Sequence, residues 1–91
     1  MTYAEALAAA DIAEKEFDEA VRALKQARAD FARSRSKKNR EALAAADAVF
    51  DAARAKVLTA ESAAKKAYRD EKIAAVQAKR AAEPKQLDLF A

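Results

Sequence analysis

From Tyr3 onward an apolar residue returns at every seventh position: Tyr3, Ala10, Phe17, Leu24 and Phe31. Three residues later in each heptad stands an alanine, at Ala6, Ala13, Ala20 and Ala27. A second stretch repeats the arrangement. Leu43, Phe50, Val57 and Ala64 form one row, and Ala46, Ala53, Ala60, Ala67, Ala74 and Ala81 form the other. Alternating steps of three and four put both rows on one side of an α-helix, and a sustained heptad marks helices packed along a seam. All ten positions of the second row are alanine. Small residues there let two helix backbones approach closely and leave room for the larger residues of the first row.

Two places interrupt this pattern. In Ser34-Arg35-Ser36-Lys37-Lys38-Asn39 short polar side chains compete for the backbone, and Ser36 reads as the N-cap of a second helix with Asn39 as a weak capping-box partner. Pro84 disfavours helix at Glu83 and ends the regular structure. Thr2 and Glu5 make a capping box for the first helix. The expected elements are therefore a helix over about 3–33, roughly 45 Å long, and a helix over about 37–82, roughly 70 Å long. A turn near 34–36 joins them, and a short, extended and flexible tail over 83–91 follows.

An antiparallel pairing in which facing residue numbers total about 70 sets large against small throughout. Phe17 meets Ala53, Phe50 meets Ala20, Leu24 meets Ala46, Leu43 meets Ala27 and Tyr3 meets Ala67. It also centres the turn on residue 35, where the capping residues lie. The fold class is thus all-α: an antiparallel two-helix coiled-coil hairpin with an alanine-rich seam. Past Tyr68 the second helix outruns the first, with Ile73 and Val76 as its larger apolar groups. Leu7, Ile12, Val21, Val49 and Leu58 stand off the seam. A hairpin with so thin a core is marginal alone, and a homodimer forming a four-helix bundle is one way to complete it.

Composition narrows the function. The chain of 91 residues has no Gly, Cys, His or Trp and one Pro, and alanine makes up much of its 53% hydrophobic content. Missing turn glycines and β-branched runs argue against sheet folds. Without Cys or His, a disulfide framework, a zinc site and thiol or imidazole catalysis are not expected. No run is long enough for a membrane span and no signal-peptide core opens the chain, so the expected setting is cytoplasmic. Carboxylates are expected in helix-supporting pairs, Asp11 with Lys15, Asp18 with Arg22 and Glu61 with Lys65. Glu14 with Asp18, and Asp47 with Asp51, are like-charged neighbours without a His beside them, which reads as a solvated surface. The expectation is a non-enzymatic protein with no cofactor and no metal.

The net charge of +3 is unevenly spread, since residues 1–30 carry seven acids and four bases while 31–91 carry eight acids and fourteen bases. Arg33, Arg35, Lys37, Lys38 and Arg40 crowd the turn. Arg33 and Arg35 suit the C-terminal end of a helix dipole, whereas the other three oppose the dipole of the helix they begin. Phosphate contact is the functional reading of this cluster, and it would be non-specific and salt-sensitive. No aromatic lies inside it to stack bases.

The tail carries the most specific signal. Gln86-Leu87-Asp88-Leu89-Phe90 resembles the peptide motif by which bacterial proteins bind the DNA polymerase III β sliding clamp, and all five positions match that pattern. The resemblance covers those five residues and does not extend to the hairpin. It implies that Leu89 and Phe90 enter an apolar pocket of the clamp, that Leu87 packs at its edge and that Gln86 sets the register through its amide. Three large apolar residues after a helix-ending proline also call for a partner on physical grounds. The resemblance implies a modulator or inhibitor of DNA replication or repair, and the chain's size fits a phage- or plasmid-encoded protein. Two other readings use different parts of the chain. In one, a structural or adaptor coiled coil acts through its helical faces with the tail folded back; in the other, the basic turn binds nucleic acid.

Overall fold

The computed structural model describes residues 1–82, which form two helices, α1 (Tyr3–Arg33) and α2 (Lys37–Ala82). They run antiparallel as a helical hairpin, 80 × 19 × 15 Å overall. Thr2 caps α1 through its hydroxyl, which accepts the Glu5 N–H at 3.1 Å, while the Glu5 carboxylate accepts the Thr2 N–H at 3.4 Å. This reciprocal bonding satisfies two of the N–H groups that a helix start leaves without partners.

A further N-terminal bond comes from the other helix. The Glu71 carboxylate of α2 accepts the Tyr3 N–H at 2.9 Å. Glu71 is the next member of the row Leu43, Phe50, Val57 and Ala64. Where α1 ends and apolar side chains would find nothing to cover, that row changes to a carboxylate. A negative charge there also complements the positive end of the α1 dipole.

The turn is closed by Asn39. Its side-chain amide donates to the carbonyls of Asp30, at 3.2 Å, and Ser34, at 2.8 Å, both at the C-terminal end of α1. The Ser34 N–H also donates to the Asp30 carbonyl at 3.0 Å. Ser36 caps α2 as expected, accepting the Asn39 N–H on its hydroxyl at 3.1 Å. The capping-box role expected for Asn39 is corrected: its side chain crosses to α1 instead of returning to Ser36. Carbonyls left open at a helix end require donors, and the amide supplies two.

Burial follows the heptad. The buried residues are Ala6, Ala10, Ala13, Ala20, Leu24, Ala27, Ala53, Ala64 and Ala67, all of them seam positions. Tyr3, Phe17, Phe31, Leu43, Phe50 and Val57 are half-buried in the same rows. Ala6, Ala64 and Ala67 form one cluster with Tyr3 packed on it, so cross-helix partners at this end total about 70 as expected. The aromatic residues also meet one another. The Phe17 and Phe50 rings lie 5.2 Å apart, and the Tyr3 and Tyr68 rings pack edge to face at 5.2 Å. Offset and edge-on contacts of this kind are the favoured geometries of aromatic pairs. Ala74 and Ala81 continue the alanine row but are exposed, because α1 does not extend that far.

Ion pairing is mostly local, as expected, but it joins other residues than those expected. Among the described residues the pairs are Arg33–Asp30, Lys37–Glu41, Lys66–Asp70 and the cross-helix Lys56–Glu16, whereas those expected at Asp11, Asp18 and Glu61 do not form. Exposed pairs are worth under about 1 kcal/mol, so side-chain freedom readily outweighs any one of them.

The seam makes contrasting substitutions informative. Ala53→Leu should lower stability by about 1–3 kcal/mol by overpacking. Ala74→Leu, in the same row but beyond α1, should stay within about 0.5 kcal/mol of the parent. Glu71→Ala should cost about 1 kcal/mol, as loss of a cap does. Thermal melts followed by circular dichroism read all three, and equal effects of Ala53→Leu and Ala74→Leu would sink the assigned seam.

Candidate functional site

Gln86, Leu87, Asp88, Leu89 and Phe90, the residues of the clamp-like motif, lie outside the described residues. What precedes them is described. From Arg69 to Ala82 every residue of α2 is exposed, so the hairpin body is followed by a single helix roughly 20 Å long. Ile73 and Val76 are each half exposed on it and sit among Arg69, Lys72 and Arg80 around a shallow hollow. Glu71 ties the base of this helix to the start of α1.

The five bases of the turn lie close together in the fold but are engaged unequally. The Arg33 guanidinium bonds the Asp30 carboxylate at 2.6 Å, and the Lys37 ammonium stands 3.9 Å from Glu41. Arg35 lies over the Phe31 ring, 5.7 Å from its centre, within the range of a cation–π contact. Lys38 and Arg40 are exposed and make no ion pair among the described residues. Asp30 and Glu41 flank the cluster in sequence and draw two of its charges into local contacts. The concentrated positive field read from the sequence is therefore weaker than the bare count of five.

Asp30 is the acidic centre of this turn. It accepts bonds from Arg33 and, at 2.9 Å, from the Gln26 amide. The Arg33 bond first, and the Gln26 bond second, hold its carboxyl below the usual carboxylate range. Both favour the ionised form, since a carboxylate accepts these bonds more strongly than the neutral acid does.

The like-charged neighbours Glu14 with Asp18 and Asp47 with Asp51 do not build a metal site: among the described residues no group of three His, Cys, Asp or Glu could hold an ion. No described helix is long and apolar enough to cross a membrane. Among the aromatic residues, Phe17 packs on Phe50 and Tyr3 on Tyr68, and the last two line an open hollow with Leu7, Ala64 and Lys65. Sequence reasoning missed the cap by Glu71 and the clasp by Asn39. The break in the apolar row at Glu71 was a readable signal for the first. No protein family, curated protein or solved structure matches the chain.

Because the carboxyl of Asp30 titrates below its unfolded range, its contribution to stability is present at neutral pH and is lost as pH falls through the folded value. Asp30→Asn should therefore lower the melting temperature at pH 7, with parent and variant converging under strongly acid conditions. Melting curves across pH check this, and a gap that widened on acidification would contradict the assigned contacts.

Proposed function

We propose that this is a non-enzymatic binding protein that docks Gln86–Phe90 into the protein-binding pocket of a bacterial β sliding clamp and thereby modulates DNA replication or repair. The observation that carries the reading is the five-of-five match of Gln86-Leu87-Asp88-Leu89-Phe90 to the clamp-binding pattern, beginning two residues after Pro84. In this mechanism Leu89 and Phe90 occupy the apolar pocket and Leu87 covers its edge. Gln86 fixes the register and Asp88 remains in water. The protein competes with other clamp ligands for one pocket, while the rod attached to the peptide obstructs or recruits neighbours. The exposed helix Arg69–Ala82 supports the reading as a spacer, since it separates residue 83 from the paired part of the hairpin.

Nucleic-acid binding through the turn is a second reading. Lys38 and Arg40 favour it, whereas the engagement of Arg33 with Asp30 and Lys37 with Glu41 weighs against it.

Titration of a bacterial β clamp with the intact protein tests the proposal. Saturable binding in the micromolar range is expected, as for a short peptide that orders on docking. A Leu89→Ala, Phe90→Ala double variant should bind at least about tenfold more weakly, in keeping with loss of central apolar anchors. Raising salt from low to moderate should change the affinity little, whereas phosphate contacts would weaken steeply. Equal binding by parent and double variant, or none by either, would refute the assignment.

A further inference from the structure

The two broad faces of the hairpin differ in charge. Along its middle, seven-residue geometry places Asp11, Glu14, Asp18, Asp51, Arg54 and Glu61 along one face, together with Val21 and Leu58. The opposite face carries two contiguous grooves of about 350 and 520 Å³ that share Glu16 and Lys56. Their walls are mainly alanine, including Ala9, Ala23, Ala52 and Ala63, with Ile12 and Val49 exposed at 59% and 56%. Along this length the grooved face has three charges, Glu16, Glu19 and Lys56, and two of them pair with each other at 3.7 Å.

The chain also exposes more surface than a compact monomer would. Its accessible area is 7,435 Å², against about 5,200 Å² expected for a compact protein of this mass. The grooved side of the hairpin, taken over the whole length of α1 and a width of 19 Å and so including Glu5, Asp30 and Lys66 beyond the grooves, has a projected footprint of about 850 Å². That is close to the roughly 800 Å² per partner of a standard specific interface.

We infer that the grooved face is a homodimer interface, in which two hairpins pack with a two-fold axis along their common length to make a four-helix bundle. Charge selects this symmetry. With the axis along the hairpin, α1 of one copy lies over α2 of the other, and Glu16 meets Lys56 of the partner subunit. With the axis across the hairpin, α1 lies over α1 and brings Glu16 and Glu19 against the same acids of the second copy. Like charges brought together at an interface cost several kcal/mol, so the first arrangement is selected. The same register sets Ile12 beside Thr59 of the partner subunit and Val49 beside Ala23 of the partner subunit. Both Ala82 ends then lie at one end of the bundle, so each particle has two copies of residues 83–91 attached at that end. The dimer does not depend on the identity of the tail's partner. If the clamp reading holds as well, two tails per particle add avidity without a new contact.

Sedimentation of the full chain should give a species of twice 9.9 kDa. An Ile12→Glu, Val49→Glu double variant should raise the dimer dissociation constant at least about tenfold by placing acids on the interface. Leu58→Glu, on the charged face and similarly exposed, should leave it unchanged. Since the chain has no native cysteine, cross-linking can report the symmetry directly. A mixture of Ile12→Cys and Thr59→Cys chains should form a covalent heterodimer under mild oxidation, in excess over either homodimer. A monomeric parent, equal disruption by Leu58→Glu, or preferential Ile12→Cys homodimers would overturn the inference.

Discussion

Close approach of two helix backbones along an alanine row is the constraint on which the rest of the molecule depends. Alanine at Ala6, Ala13, Ala20, Ala27, Ala53 and Ala67 lets the helices come near enough for Phe17 and Phe50 to reach across and touch. A buried methyl contributes on the order of 0.8 kcal/mol, against about 1.5–3 kcal/mol for a buried leucine. Stabilisation is therefore spread thinly over the whole length, and Leu24 is the one buried residue larger than alanine among those described. Close contact also makes the seam intolerant of bulk, which is why its consequences appear at the ends as well as in the middle.

At those ends, polar bonds take over from packing. Asn39 draws the carbonyls of α1 to the start of α2, and Glu71 draws the start of α1 to the base of the exposed helix Arg69–Ala82. Together they hold the register from both sides, where a uniform row of methyl groups would permit slippage by a heptad. The large residues of the other row contribute to the same end, because Tyr3 has its place only beside Ala67 and Tyr68.

A thin core leaves much apolar surface outside it, and that surface is unevenly divided. Along the middle of the hairpin the grooved face carries fewer charges than the opposite face, whereas the exposed helix after Tyr68 is itself highly charged, with Arg69, Asp70, Glu71, Lys72, Lys79 and Arg80 around Ile73 and Val76. On the proposed reading these parts have separate work: the grooved face joins two copies, the helix after Tyr68 acts as spacer, and residues 86–90 contact the clamp. None of these roles calls for catalysis, and each follows from the placement of apolar groups where the hairpin itself does not cover them.

The heptad rows, the turn and the Thr2 and Ser36 caps were all legible in the sequence, because helix geometry converts spacing directly into a face. The resemblance of residues 86–90 to a clamp-binding peptide rests on the sequence alone, since five consecutive residues can be compared with a pattern without any fold. Spacing within one helix does not show what the partner helix brings to it. Only the tertiary structure decided that Asn39 turns to the carbonyls of α1, that Glu16 pairs across to Lys56, and that Glu71 caps Tyr3. These are contacts of exposed polar groups with several partners in reach, and which one is taken depends on where the packed seam brings each side chain.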